Sequence, residues 1–285
     1  MIVAINYADS KFEAIRTYNT QTAYSKGKVD KVIEYSPSDI DKEFKYRYAN
    51  IFSYERGAGL WLWKPYIILD ALHRMNDGDY LFYCDSGAYY VNKIRYLVEV
   101  LNQHEQSIMP FEICVLERQF TKKETFVLMN HFNYTENQIC TGYILLKKSN
   151  TSINFVQEWL AYMCDERICS PRHFCPHISE FENFVTHRED QSVFSILCRK
   201  NALTVFRDPS NYGDRPWMYA RNGFDYVPKK YANSPYPRII VSCRKENPQK
   251  YKIKEFIINL LWKVGIFNQR VCFWLHGIKR KSLNV

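Results

Sequence analysis

The sequence predicts an α/β fold with a mostly parallel central sheet, and three observations predict it. Ile2–Tyr7 and Tyr80–Cys84 are apolar runs of strand length and Val29–Tyr35 alternates weakly, each closed by a turn signal. The stretches between them, Lys11–Lys26 and Trp61–Met75, are compatible with helix. Strand, helix, strand, helix, strand in that order favours parallel strands whose ligand crevice lies at their C-terminal ends.

The elements follow in order. Ile2–Tyr7 reads as a buried strand running into the turn Ala8-Asp9-Ser10, and the second strand closes at Ser36-Pro37-Ser38. Asp39 or Asp41 is placed to cap a helix running toward Phe52. Arg56-Gly57-Ala58-Gly59 precedes the apolar helical stretch, and Asn76-Asp77-Gly78-Asp79 is a turn. Tyr80–Cys84 then delivers Asp85-Ser86-Gly87 to the same sheet edge as Asp9. Further on, Ile113–Glu117 and Gly142–Leu146 read as strands, and Ile153–Cys164 and Asp190–Lys200 as helices. Residues 165–186 and 208–237 read as irregular, and no internal repeat is present.

Composition narrows the function classes. Hydrophobic residues make up 46% of the 285, enough for a full core, so disorder is not expected. No secretory leader is expected from the first residues, and nine scattered Cys read as reduced, mostly buried thiols. The net charge is +9, but Arg244–Val285 carries ten Lys and Arg against two Glu, which leaves +1 for the first 243 residues. A nucleic-acid-binding main domain would need the basic charge there, so that class is set aside.

Two segments carry candidate chemistry. Asp79–Gly87 is a hydrophobic strand that delivers a carboxylate, Asp85, to the crevice. Ser86 and Gly87 after it are small enough to let a diphosphate approach the backbone. The ordinary alternative is a turn. In Arg56–Pro65 two glycines permit tight backbone geometry before a helix whose first amides can bind an anion. Lys64 there is either a cation for the site or a side chain snorkelling to solvent. Cys164, Cys169, His173, Cys175 and His177 offer zinc-type ligands, but their spacing fits no common finger, ribbon or knuckle.

Taken together, Gly57-x-Gly59-x-Trp61-x-Trp63-Lys64-Pro65, Asp77-Gly-Asp79, Tyr83-x-Asp85-x-Gly87 and His187-Arg188-Glu189-Asp190-Gln191-Ser192 resemble a group of bacterial polysaccharide glycosyltransferases of GT-A type. Thr141–Lys147 resembles the small-residue, Gly, apolar segment between these blocks, and the match covers about residues 56–200. The resemblance implies a GT-A-like, Rossmann-related fold. Its catalytic domain would span 1–246, with a nucleotide-binding half at 1–110 and an acceptor-side half at 111–246. It implies transfer of a sugar, of hexosyltransferase type, from a nucleotide-sugar donor such as a UDP-sugar. The acceptor would be a saccharide, free or lipid-linked, in O-antigen, capsule or lipopolysaccharide assembly.

The same resemblance assigns residues. Asp85 stands where the Asp-x-Asp element holds Mn²⁺ or Mg²⁺ and the donor diphosphate, with Ser86 and Gly87 beside it. Gly87 replaces the second carboxylate, which leaves one protein ligand fewer. Asp190 and Gln191 stand at the donor sugar and acceptor, where a carboxylate serves as general base or steadies an oxocarbenium-like centre. An N-cap on the following helix is the alternative for Asp190. Tyr7 and Asp9 stand where the nucleobase and ribose are seated; a core Tyr and a turn Asp are the alternatives.

Residues 247–285 read as a basic amphipathic tail. Trp262, Phe267, Phe273 and Trp274 are interleaved with cations, and Lys263, Asn268, Gln269 and Arg270 interrupt any spanning run. This is the pattern of an interfacial helix on an anionic membrane, peripheral at the cytoplasmic inner face and dispensable for the chemistry. A helix packed on the domain or on a second subunit is the alternative. A non-catalytic, membrane-associated scaffold that keeps the fold is the rival to the enzyme.

Overall fold

The computed structural model describes residues 1–243 and 246–276. Strand β1 (Ile2–Tyr7) leads through helix α1 (Glu13–Thr22) to β2 (Lys31–Tyr35). Helices α2 (Lys42–Arg47) and α3 (Trp63–His73) precede β3 (Tyr80–Cys84), and β4 (Ala88–Tyr90), α4 (Arg95–Leu101), β5 (Ile108–Leu116) and β6 (Asn137–Lys147) follow. The remaining elements used below are α5 (Asn150–Met163), α6 (Glu189–Lys200), β7 (Phe206–Arg207), β8 (Ile240–Ser242), α7 (Pro248–Lys263) and α8 (Gln269–Leu275).

The central sheet has six strands in the order β2-β1-β3-β6-β5-β7. β1 pairs in parallel with β2 and β3, β5 pairs in parallel with β7, and β6 runs against both of its neighbours. The expected mixed α/β fold with a mostly parallel sheet is therefore present. A second sheet of two antiparallel strands, β4 and β8, stands beside it.

The apolar runs are continuous because both faces of the sheet are covered. Val3, Ile5, Leu81 and Tyr83 face a core with Ile67, Ile68 and Leu72 of α3, Trp159 of α5 and Phe194 of α6. Their alternates Ile2, Ala4, Phe82 and Cys84 face Leu97, Val98 and Leu101 of α4.

Where the elements depart from expectation, local chemistry explains it. Asp41, not Asp39, caps α2 by accepting from the Phe44 amide at 2.8 Å. Asp39 instead closes a capping box with Ser36. β5 starts five residues before the expected Ile113 despite Pro110, and the pairing shifts register there between Met109 and Phe111. β6 starts early because Asn137 and Gln138 are buried with hydrogen-bond partners, a strand start that polar residues disguise.

The C-terminal helices are not free of the body. Glu255 of α7 is buried and accepts from Arg215 and Arg238, and Tyr251 and Cys272 are buried as well. Trp262 meets Trp217 edge-on at 6.1 Å. The tail is thus fastened to the segment that follows β7. Among the described residues no helix is long and apolar enough to cross a membrane. Arg244, Lys245 and 277–285, with the cations Lys279, Arg280 and Lys281, lie outside the described residues.

Candidate functional site

A cavity of about 480 Å³ opens at the end of β3. That is within the usual range for small-molecule sites. Its floor carries Lys64, Asp85, Thr141, Gly142 and Asp190, and its rim includes Arg56, Trp61, Tyr219 and Arg221.

Three elements build the floor. β3 ends at Cys84 and hands Asp85 to the cavity. β6, running antiparallel beside β3, lays Gly142 against it, so the Asp85 amide donates to the Gly142 carbonyl at 2.7 Å. A Cβ on Gly142 would stand 3.2 Å from Asp85 Oδ2, so glycine keeps that carboxylate face open. From α1, Asn19 donates to the carbonyls of Asp85 and Ala88 and fixes the loop from below. Asn19 was invisible in the sequence, where it is one polar residue in a mixed helix.

Lys64 joins the carboxylates. It lies in the first turn of α3 and its side chain is only 3% exposed. Its Nζ stands 2.7 Å from Asp190 Oδ2 and 3.5 Å from Asp85 Oδ1, and it also donates to the Thr141 carbonyl. Burial works against the ammonium, but Asp190 and Asp85 outweigh it and hold its pKa above the ordinary lysine value. Snorkelling to solvent is excluded.

The two carboxylates differ. Asp190 is 6% exposed and also accepts from the Thr141 hydroxyl at 2.8 Å. Asp85 is 46% exposed at the side chain and accepts from the Tyr83 hydroxyl. Its sunken setting raises its pKa, and Lys64 and Tyr83 oppose that rise without cancelling it. Asp190 is not the N-cap of α6. The cap position is Arg188, whose amide donates to Ser192 Oγ, and Asp190 turns inward from the first turn. Beside it, Gln191 also lines the cavity and donates its amide to Gln138 at 2.6 Å.

Other expected site residues lie elsewhere. Tyr7 is buried with its ring stacked on Trp63 at 3.7 Å, and burial raises its hydroxyl pKa well above the usual value. Asp9 accepts from the Lys11 amide in a turn. Neither lines the cavity. Ser86 donates to the Tyr7 carbonyl at 2.6 Å, and the Gly87 carbonyl accepts from the Cys243 amide at 2.9 Å. These two hold the ends of β1 and β3 and the small sheet together.

The glycine-rich segment also differs from expectation. Gly57, Ala58, Gly59, Leu60 and Trp61 have φ of +63°, +49°, +94°, +53° and +59°, one left-handed turn. Left-handed geometry costs a residue with a Cβ roughly 1–2 kcal/mol. The amides of residues 58 to 62 all bond to nearby carbonyls, so this turn offers no amide cradle for an anion.

As for a metal, Asp85 presents one carboxylate and Gly87 supplies none. Among the described residues no group of three or more His, Cys, Asp or Glu could hold an ion, and that covers Cys164, Cys169, His173, Cys175 and His177. All nine cysteines are free, six of them buried. A divalent ion held at Asp85 would have to take its remaining ligands from a substrate's own phosphates and from water.

Sequence reasoning missed the far wall, Tyr212, Met218, Tyr219, Arg221 and Phe224, because its stretch is irregular and has no periodicity. It also left Glu189 unassigned. Burial lifts that carboxyl to about 7, with Arg56 opposing, and the residue has φ +30°.

The chain matches no protein-family model and no curated protein. Among solved structures it is similar to mouse xyloside xylosyltransferase 1 in its apo form, at 13% identity and TM-score 0.45, over 87% of this chain and 100% of that one. It is also similar to the galactosyltransferase LgtC in complex with donor and acceptor sugar analogs, at 10% identity and TM-score 0.47, over 85% and 86%. A glycosyltransferase involved in glycosylation of the major capsid of PBCV-1 is similar at 10% identity and TM-score 0.35, over 60% and 68%. Likenesses at such values assign neither an activity nor residues to this chain.

Proposed function

We propose that this chain is a glycosyltransferase that moves a hexose from a nucleotide-sugar donor, a UDP-sugar, to a saccharide acceptor carried on lipid. Its place is bacterial surface polysaccharide assembly, covering O-antigen, capsule and lipopolysaccharide, at the inner face of the cytoplasmic membrane. The observation that carries the reading is the cavity floor, where a buried ammonium lies between a half-exposed carboxylate and a buried one. That floor agrees with the sequence blocks around Lys64, Asp85 and Asp190, which resemble the polysaccharide transferases.

Each residue has a task in this scheme. The acceptor hydroxyl bonds to the anomeric carbon, the bond from that carbon to the diphosphate breaks, and the hydroxyl proton leaves to a base. A divalent ion bound with the donor would neutralise the diphosphate, with Asp85 as its carboxylate. Lys64 holds Asp85 and Asp190 in place and offsets part of their charge at the floor. Asp190 and Gln191, held by Lys64, Thr141 and Gln138, flank the reacting centre. Ser86 and Gly87 hold the strand ends that aim Asp85. Tyr7 supports the site by packing on Trp63 next to Lys64, and Asp9 shapes the adjoining turn.

The membrane placement is supported by α7. Ile253, Phe256, Ile257 and Leu260 form an exposed apolar stripe at helical spacing, and Trp274 of α8 is 79% exposed. Lys250, Lys252 and Lys263 lie on the same helix, so the chemistry of the face matches anionic lipid.

The transferase reading is tested by incubating the full chain with UDP-, GDP-, CMP- and dTDP-sugars and following nucleotide release with and without saccharide acceptors. Release from a UDP-sugar that depends on acceptor is the expected result. Donor-dependent thermal stabilisation with no consumption would favour the scaffold instead. Neither stabilisation nor consumption by any donor would end the proposal.

A further inference from the structure

The left-handed turn and the start of α6 face each other at the cavity rim, and both carry positive φ at residues other than glycine. Such geometry persists only where the surroundings over-determine it, and it clusters at ligand clamps. Here the surroundings do so. Trp63 Nε1 donates to the Gly57 carbonyl at 2.8 Å, and the Trp61 ring lies so close over Gly57 that a Cβ there would stand 2.2 Å from it. Gly59 is pressed on Phe52, where a Cβ would stand 2.7 Å from the ring.

This geometry fixes two side chains at the rim. Trp61 is half-buried and lines the cavity. The Arg56 guanidinium lies 5.7 Å from its ring centroid and reaches across to Glu189 with two bonds, at 2.5 and 3.2 Å. Arg56 therefore ties the strained turn to the strained residue beside Asp190.

We propose that Trp61, with the Arg56–Glu189 pair, is the subsite for a pyranose ring. The inference rests on the transferase reading and names the part of that site which grips a sugar. A pyranose has an apolar C–H face and a rim of hydroxyls. An indole surface accepts the first, and Trp is suited to a site that is apolar on one side and wet on the other. The pair supplies charged donors and acceptors to the hydroxyls, and because its two charges offset each other it suits a neutral ligand. The strain fixes the indole before the ligand arrives, so less conformational freedom is lost on binding.

The ring belongs either to the donor or to the acceptor, and kinetics separates the two. Trp61→Ala should raise KM at least tenfold for the UDP-sugar or for the acceptor, whichever seats its ring there. Its affinity for UDP should stay within twofold of the unaltered protein, and Trp61→Phe should recover most of the loss. Arg56→Gln should raise the same KM and also spare UDP. Unchanged KM for both substrates in Trp61→Ala, or a UDP affinity that falls in parallel, would overturn the subsite.

If Trp61→Ala does not fold, Arg56→Gln and Trp61→Phe decide, and wild-type KM values in both would overturn it. If the unaltered protein turns over no donor, the transferase reading has failed and the subsite is judged by itself. Saturation-transfer NMR with methyl glucopyranosides and methyl galactopyranosides should then show ring protons on the protein, keep most of them in Trp61→Phe and lose them in Arg56→Gln. No signal with the unaltered protein, or an equal signal in both variants, would sink it.

Discussion

Two buried ion clusters can be set side by side. At the cavity floor Lys64 lies between Asp85 and Asp190; under α7, Glu255 lies between Arg215 and Arg238. Each has one charge of one sign held by two of the other. They differ in access. Arg215 is 0% and Glu255 4% exposed at the side chain, so that cluster is sealed. Asp85 is 46% exposed and faces a cavity. A sealed cluster acts as a fastening, and breaking one typically costs 3–5 kcal/mol because a charge is left uncompensated. An open cluster keeps a charge ready for something that arrives from outside. The difference separates a residue that holds the fold from one that meets a ligand.

Single substitutions on each side should divide rate from stability. Asp190→Asn keeps the shape and an acceptor for Lys64 but removes the charge at the proposed reacting centre. It should cut transfer by roughly 10²–10⁴ while the melting temperature moves only a few degrees. A loss of rate explained wholly by unfolding would erase the distinction. Glu255→Ala, or a chain ending at Asn247, leaves the sealed Arg215 without its carboxylate and Arg238 with Asp214 alone. Melting should fall by on the order of 10 °C, with UDP-sugar turnover per folded molecule unchanged at low temperature. If the shortened chain melts like the full one, α7 is no fastening.

Glu189 sits between the two extremes, buried like Glu255 but at the cavity. Burial raises its carboxyl from the usual value to about 7, so the folded protein binds its proton more tightly than the unfolded chain. That contribution favours the fold in acid and fades as pH rises through about 7. The gain in melting temperature from pH 8 to pH 5.5 should be several degrees smaller in Glu189→Gln than in the unaltered protein. Glu117, also raised to about 7 by burial, keeps part of the slope in both. Equal slopes would remove Glu189 from the account.

The smallest effect concerns the outer face of α7. Full-length protein should sediment with vesicles of phosphatidylglycerol at low salt, less at high salt and hardly with phosphatidylcholine. Indifference to anionic vesicles at every salt concentration would remove the membrane from the proposal and leave the cavity as it stands.

What the sequence disclosed follows the range of the forces involved. β1 and β3 were legible to the residue, because a strand covered on both faces must be apolar throughout. β5 and β6 were read short, because Pro110 and the buried amides Asn137 and Gln138 imitate a loop until their partners are known. In the site, Lys64, Asp85 and Asp190 could be picked out one by one, each at the end of an element. That one ammonium joins both carboxylates could not, since Lys64 and Asp190 are separated by 126 residues and meet only when β6 turns back beside β3. Tyr7 and Asp9 were placed at the right sheet edge, but whether a strand-end side chain enters a cavity or packs beneath it depends on Trp63, which no spacing rule reaches.

The central claim is that Asp85, open to the cavity and held by Lys64, meets the donor diphosphate through a divalent ion bound with it. Calorimetric titration of UDP with Mn²⁺ into the unaltered protein, Asp85→Asn and Glu255→Gln tests it most directly. The account predicts binding that is at least tenfold weaker in Asp85→Asn and unchanged in folded Glu255→Gln. Equal affinity for UDP in Asp85→Asn and the unaltered protein would contradict it.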